Sequence, residues 1–590
     1  QKMIKGIDFF AKDFDPKKIP QEVAQAMYDT FKDLRKAIGF GEGSELFQPR
    51  DLLKVKGLSR KNLDEGKVTP EDIERAVTEI LPRMKGGQMS FGALLQWAKE
   101  SIELGLTSLG TYGGSGEGGM PKAHEFLCPE AIPKSVQFAS GRFGANAEYL
   151  AFAEEICIKI AQGAKPGEGG QLPGYKVTSL IAKNRYCKEG TELISPPPHH
   201  DVYSIEELKQ LIEDLRSINP KAKIAVKLVS GTGIGTISAG VVKASADIFE
   251  MDGVEGGTGA AKDESRPHAG LRTETGIREV HRVLTKHELR DLVIFRAMGG
   301  IKCPMDMLKY MLMGADEIAA GTLLMTALGC NLQTNCNLGC GMQIAHPLFM
   351  DGGLYAELKE VLKDPEQYKE FVYQKAKQVA VMWYAMALEL AVYYRHIKAS
   401  GVEGLESFED LIGRADLLER KTEMPRNAKY IDTRFLTNLT EEEKTAQVKK
   451  AMRKTNRRTW NRVKDLEHRK EWKMTEEYVK TGRISEEEIV LNSSDDRSFG
   501  ARLSGERVRL RRKLEEAKKR GEKVKELASV RLKTKGFAGN SYGVFGSAGM
   551  SFEHEGFAEE GFAKGISSEC RVSLKRPKNV PKHLAIVSNN

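Results

Sequence analysis

Residues 223–253 read KIAVKLVSGTGIGTISAGVVKASADIFEMDG, two short apolar runs at 223–230 and 246–253 with a helix-like stretch between them. Strands joined by a crossover of about a dozen residues or more lie parallel, because a tight turn returns the chain antiparallel. The pattern extends both ways. GGQMSFGA (86–93), LTSLGTYG (106–113), KSVQFASG (134–141), EICIKIAQ (155–162) and TELISPPP (191–198) precede it, and LVIFRAMGG (292–300) and DEIAAGT (316–322) follow. Amphipathic helical patterns such as Ser204 to Asn219 and Pro304 to Met313 lie between several of them. Nine candidate strands exceed the usual open doubly wound sheet, so the α/β pattern predicts a (β/α)8 TIM barrel with its active site at the strand ends.

Around a barrel domain at 81–420, residues 1–80 predict a helical N-terminal segment, with Thr69, Pro70 and Glu71 opening a helix. Val379 to Tyr394 predicts a buried helix, and Leu405 to Leu418 another that closes the compact region. Residues 421–494 read as a charged helical linker. Its basic stretch at 441–475, with Trp460 and Trp472, has mixed signs and suits a solvated face better than a nucleic-acid contact, as does Arg507 to Lys525. Residues 495–590 turn rich in glycine and predict a short, partial β-helix-like domain.

The 590 residues, 40 % hydrophobic and 29 % charged, suit a soluble globular protein, and a net charge of +9 is too small at this length to imply nucleic acid. No apolar run reaches the ~20 residues of a membrane span, and no signal core is present, so a cytoplasmic location is expected. Eight cysteines are too sparse for a disulfide scaffold, yet Cys330, Cys336 and Cys340 form C-x5-C-x3-C. Three thiolates on one loop suit an iron-sulfur cluster such as [3Fe-4S]. Zinc would need a fourth ligand such as Cys303 or His346, and buried cysteines without metal are the plain alternative. His199 and His200 follow three prolines and point oppositely on an extended chain, so they read as structural.

KPGEGGQLPG at 165–174 forces a tightly turned backbone that exposes Lys165 and Gln171, suited to clamping carboxylates. Gly231, Gly233 and Gly235 tempt a dinucleotide reading, but Thr236 and Ser238 stand where its last glycine belongs. Turns at Gly256-Gly257, Gly299-Gly300 and Gly321-Thr322 close three successive late strands. Such loops commonly bind phosphate through backbone N–H groups, which matches the phosphate of FMN; plain turns are the alternative.

Taken together, MSFGA, GEGG (116–119), ASGRFG (139–144), AQGAKPGEGGQLPG (161–174), LISPPPHHDVYSIEELKQLI (193–212), AVKLV, GGTGA and DLIGRADLL (410–418) resemble the synthase part of the glutamate synthase family. A weaker likeness at 495–577 resembles the start of that family's β-helix. The resemblance implies an FMN-dependent oxidoreductase that reduces 2-iminoglutarate, formed from 2-oxoglutarate, to glutamate. It implies that Glu117, Lys165, Gln171 and Arg185 hold the keto or imino acid. Ser90, Gln137, Lys227, Gly256, Gly257, Gly299, Gly300, Gly321 and Thr322 would contact FMN, and Cys330, Cys336 and Cys340 would ligate the cluster. The second cysteine gap is one residue shorter than the family's. Electrons would come from ferredoxin or a subunit oxidising NAD(P)H. Nitrogen would come from a separate glutaminase chain or free ammonia, since no glutaminase domain is read here, and an oligomer is expected. A methylamine–glutamate synthase and a non-catalytic electron-transfer or scaffold subunit are the rival readings.

Overall fold

The computed structural model describes the chain apart from residues 1–6, 39–47, 60–65, 123–124, 127, 142, 165–167, 196–198, 201, 258–260, 262–264, 266–268, 333–335, 338–339, 341–342, 346–362, 424–425, 453–468, 485–487, 494–495, 525 and 588–590. Seven parallel strands form one curled sheet: β1 (Met84–Gly86), β2 (Ser135–Ala139), β3 (Glu155–Lys159), β4 (Lys223–Val229), β5 (Ile248–Asp252), β6 (Ile294–Met298) and β7 (Glu317–Ala320). Their spatial order is β1-β7-β6-β5-β4-β3-β2. The edges β1 and β2 meet through residues 112–115. Gly86 N donates to Tyr112 O at 3.0 Å, Ser115 N donates to Ser135 O at 2.9 Å, and Gly114 bridges Gln88 and Ser135. The sheet thus closes at an eighth position made of single bridges.

Three of the nine candidate runs are corrected. Strand β1 ends at Gly86, where GGQMSFGA was expected to begin one, and residues 87–93 instead form part of the barrel mouth. LTSLGTYG is mostly the end of helix α1 (Gln96–Thr107) and its exit turn. TELISPPP supplies Leu193–Ser195, which pairs antiparallel with Gly170–Leu172 in a hairpin outside the barrel. That hairpin accounts for the surplus strand.

Helices α2 (Ile205–Ile218), α3 (Ile234–Lys243), α4 (Thr273–Lys286) and α5 (Pro304–Met313) connect the later strands. Ser204 caps α2: its hydroxyl accepts Glu207 N at 3.2 Å, and the Glu207 carboxylate accepts Ser204 N at 2.9 Å. Helix α6 (Pro365–Ala399) contains the expected 379–394 helix and buries Trp383, Tyr384 and Tyr393. The expected helix at 405–418 is instead two 3-10 turns, Phe408–Leu411 and Ala415–Leu417, parted by Gly413 at φ +82°. The chain then pairs Leu418–Arg420 antiparallel with Leu53–Val55, tying the N-terminal segment to the end of the barrel region.

The barrel interior is charged where branched apolar layers are usual. Arg296 is buried and binds Glu155 at 2.8 Å, Glu250 at 3.1 Å and Glu317 at 2.8 Å. Burial works against the Glu155 charge, but Arg296, Ser135 and Tyr112 outweigh it and hold the carboxyl at about 2.

Beyond the barrel, helix α7 (Glu441–Met452) is pinned to α4 by Arg278, which donates to both oxygens of Glu443 at 2.7 and 3.0 Å. Helices α8 (Lys470–Thr481) and α9 (Ala501–Lys519) lead to a second parallel sheet, β8 (Ile489–Ser493), β9 (Val530–Ala538), β10 (Met550–Ala558) and β11 (Arg571–Lys575). Leu532, Phe552 and Val572 share one register, and the Phe537 and Phe557 rings stack at 5.0 Å. These coils make the β-helix-like end of the fold.

Candidate functional site

A cavity of about 470 Å³ opens at the C-terminal ends of the barrel strands, where inward residues meet the loops that follow. On one wall, Glu117 follows the bridging segment 112–115 and Lys159 ends β3. Lys159 Nζ lies 2.9 Å from Glu117 Oε1 and 3.0 Å from Gln162 Oε1. Arg185 ends the short helix Ser179–Arg185 and donates to the carbonyls of Phe91 at 3.1 Å and Glu117 at 3.4 Å. Burial would raise the Glu117 carboxyl, but Lys159, Arg185 and Ser195 outweigh it, so the group stays ionised. Burial pulls Arg185 down against the opposing pull of Glu117. Two cations therefore face one carboxylate, an excess of positive charge that an anionic ligand would balance.

Gln171 lies on the hairpin at the rim, where its exposed side chain donates to Glu192. Lys165 falls outside the described residues.

The floor holds Gln137 of β2 and Lys227 of β4, both buried. Lys227 Nζ lies 3.2 Å from Asp252 and 3.8 Å from Glu250. Burial acts to lower the ammonium, and those two acids more than reverse it. Ser90 lines the wall after β1, and Gly321 and Thr322 line it beside that segment, after the neighbouring β7. Gly256 and Gly257 follow β5; a Cβ on Gly256 would sit 1.6 Å from Asp252 Oδ1, so only glycine fits there. Gly299 and Gly300 follow β6 with φ of +105° and +67°.

Cys336 reaches the same cavity. Lys176 Nζ donates to its carbonyl at 2.8 Å; burial pulls that ammonium down to about 8, against Cys336 and Cys340. Tyr175 donates to the carbonyl of Asn337. Cys330 and Cys340 are half-buried outside the lining, and Cys340 Sγ accepts Ile344 N at 3.3 Å. Burial raises the Cys336 thiol, and Cys340 and Cys330 add to this against Lys176. Among the described residues, no group of three or more His, Cys, Asp or Glu side chains stands ready to hold a metal. Cys303 caps α5 and is buried, while His346 lies outside the described residues. His199 is buried and stacks on Phe138 at 5.9 Å.

The cavity brings together Ser90, Glu117, Gln137, Gln171, Arg185, Lys227, the three late turns and Cys336. Lys159, Gln162, Lys176, Asp252, Glu255, Lys302 and Gln48 line it too and were not singled out from the sequence. Lys159 had a signal: it ends a strand two residues beyond Cys157, in register with Lys227.

A family model described as a conserved region in glutamate synthase matches residues 13–385. The chain is 33 % identical over 589 residues to ferredoxin-dependent glutamate synthase 2 of Synechocystis, covering 92 % of this chain and 34 % of that protein. It is 39 % identical over 421 residues to the glutamate synthase [NADPH] large chain of Azospirillum brasilense, covering 70 % and 25 %. It therefore spans about a third or less of the curated relatives it matches. The flavin-binding domain of baker's yeast flavocytochrome b2 aligns with 74 % of this chain and 99 % of its own, at 12 % identity and a TM-score of 0.35.

Proposed function

This chain belongs to the glutamate synthase family, and on that premise we propose that its barrel mouth binds FMN and the imine of 2-oxoglutarate and reduces the imine to glutamate. The observation that carries this reading is a single cavity with cations on one wall, left-handed glycine turns on another and a thiol-bearing loop at its edge.

The residues present fit a flavin. Glycine turns that line the cavity suit a phosphate, and the charged floor around Lys227 suits the polar edge of the ring. FMN would supply hydride chemistry at its ring when bound. Gln137, Lys227 and Ser90 would hold the ring, and the turns at Gly256, Gly257, Gly299, Gly300, Gly321 and Thr322 its phosphate.

Lys159 and Arg185 bind the carboxylates of the diacid, with Gln171 reaching it from the hairpin side and Lys165 as a further cation for them. Glu117 keeps Lys159 fixed and orients the substrate by its single negative charge. The thiols of Cys330, Cys336 and Cys340 have the donor chemistry of an iron-sulfur cluster, which would relay electrons from ferredoxin or an NAD(P)H-oxidising subunit. Ammonia, free or from a separate glutaminase chain, completes the substrate set.

The test is anaerobic purification followed by flavin and iron determination and reoxidation of the reduced protein. A bound flavin reoxidised by 2-oxoglutarate with ammonium supports the reading. Faster reoxidation with methylamine would change the amine, and flavin that no keto acid reoxidises would leave an electron-transfer or scaffold role. A colourless protein that takes up no FMN overturns the reading.

A further inference from the structure

Residues 48–52 come from the N-terminal segment, yet they reach the far side of the barrel mouth. Gln48 lines the cavity, and Arg50 just behind it is 1 % exposed. An arginine buried at that depth is paired and hydrogen-bonded. Here Nε donates to Asp306 Oδ1 at 2.9 Å, and Nη1 donates to Glu274 Oε1 at 2.5 Å and to the Tyr310 hydroxyl at 3.0 Å. Nη2 donates to the carbonyl of Gly300, and the Arg50 carbonyl accepts Lys309 Nζ at 2.8 Å.

The Tyr310 hydroxyl in turn donates to the carbonyl of Gly299 at 3.1 Å. Both carbonyls of the Gly299-Gly300 turn are therefore held from behind by one buried network. Gly299 and Gly300 are left-handed, and the amides of Gly300 and Ile301 donate to no acceptor among the described residues. Asp306 extends the same network, accepting Lys302 N at 2.9 Å. Gly299, Gly300 and Lys302 all line the cavity. In each peptide plane the N–H points opposite the carbonyl, so holding the Gly299 and Gly300 carbonyls from behind turns the N–H groups of Gly300 and Ile301 the other way, as in the backbone nests that bind anions. The Arg50 charge is itself opposed by Glu274 and Asp306, so its effect on an anion passes through the turn.

We propose that Arg50, with Tyr310, is a positioning residue that makes Gly299–Lys302 a phosphate-selective pocket, giving the N-terminal segment a part in choosing the phosphorylated flavin. This rests on the FMN reading above and adds to it how phosphate is distinguished.

The experiment uses the whole chain stripped of flavin and measures Kd for FMN and for riboflavin by fluorescence quenching. The variants are Arg50→Lys and Tyr310→Phe. Hydrogen bonds to a charged group predict that Arg50→Lys weakens FMN about tenfold or more while riboflavin affinity holds. Tyr310→Phe, which keeps the charge balance, shifts the FMN to riboflavin ratio in the same direction by a few-fold. Riboflavin binding doubles as the folding control, and if Arg50→Lys does not fold, Tyr310→Phe decides. Equal loss of both ligands, or an unchanged ratio, overturns the proposal and leaves Arg50 a structural tie. Wild-type protein that binds neither flavin overturns the FMN reading itself, an outcome separate from any change in the ratio.

Discussion

Gly118 shows how one missing methyl shapes the Arg185 wall of the cavity. At φ +100°, a Cβ there would stand 2.4 Å from Cζ of Arg185, so the guanidinium lies where a side chain would otherwise be. Gly118→Ala is expected to displace Arg185 and raise KM for 2-oxoglutarate about tenfold, with flavin absorbance unchanged; steady-state titration of the keto acid checks it. Glu117→Gln removes the carboxylate 2.9 Å from Lys159 and is expected to lower kcat/KM about tenfold to a hundredfold. Unchanged kinetics would mean that the pair faces no substrate. Glu117 and Arg185 were marked only by the family resemblance, and both line the cavity. Lys159 was hidden within EICIKIAQ, which reads as an ordinary strand until its register with Lys227 is known.

At the scale of elements, the segment 112–115 closes the barrel with single bridges, so side chains do much of the holding. Lys99 Nζ lies 2.9 Å from Glu103 and donates to the carbonyl of Gly114, while Glu103 accepts Gly113 N at 3.1 Å. Lys99→Met would leave Glu103 buried and unpaired, and is expected to cost about 3–5 kcal/mol in denaturant unfolding. This closure was legible only at its edge: the candidate run 106–113 reached Tyr112 and Gly113, but Thr-Tyr-Gly-Gly-Ser carries no apolar alternation to mark where the pairing falls. The later strands were legible, since β4 to β7 are apolar on their outer faces, against the helices. A second device joins α8 to α9: Glu471 accepts Leu503 N at 3.0 Å, and burial lifts its carboxyl from 4.5 to about 7 against those N–H groups and Arg469. A raised carboxyl favours the neutral form in the fold. Its contribution is full below about 4.5 and is lost as pH rises through about 7, at most ~3 kcal/mol. Hydrogen exchange of 501–519 should therefore quicken between pH 5 and 8 beyond its intrinsic pH dependence, and Glu471→Gln should remove the excess.

Across the whole molecule, the C-terminal coils join the barrel on the flank of α2, through contacts far apart in sequence. Asp214 accepts the hydroxyls of Ser498 at 2.6 Å and Ser541 at 2.7 Å, across separations of 284 and 327 residues. Arg509 donates to Ala151 O at 3.0 Å, Ile218 O at 3.3 Å and Asn219 Oδ1 at 3.0 Å. Glycine spacing made the coils legible from sequence, whereas their seat on the barrel depends on single polar residues that no periodicity marks. None of these contact residues lines the cavity. Arg509→Ala is therefore expected to weaken docking by about 2–4 kcal/mol, since it leaves buried carbonyls without donors. Limited proteolysis in the α9–β9 connection should accelerate, while Kd for FMN stays at its wild-type value. If flavin affinity fell in step with proteolytic sensitivity, the coils would be part of what shapes the barrel mouth, and the two units could not be treated as mechanically separate.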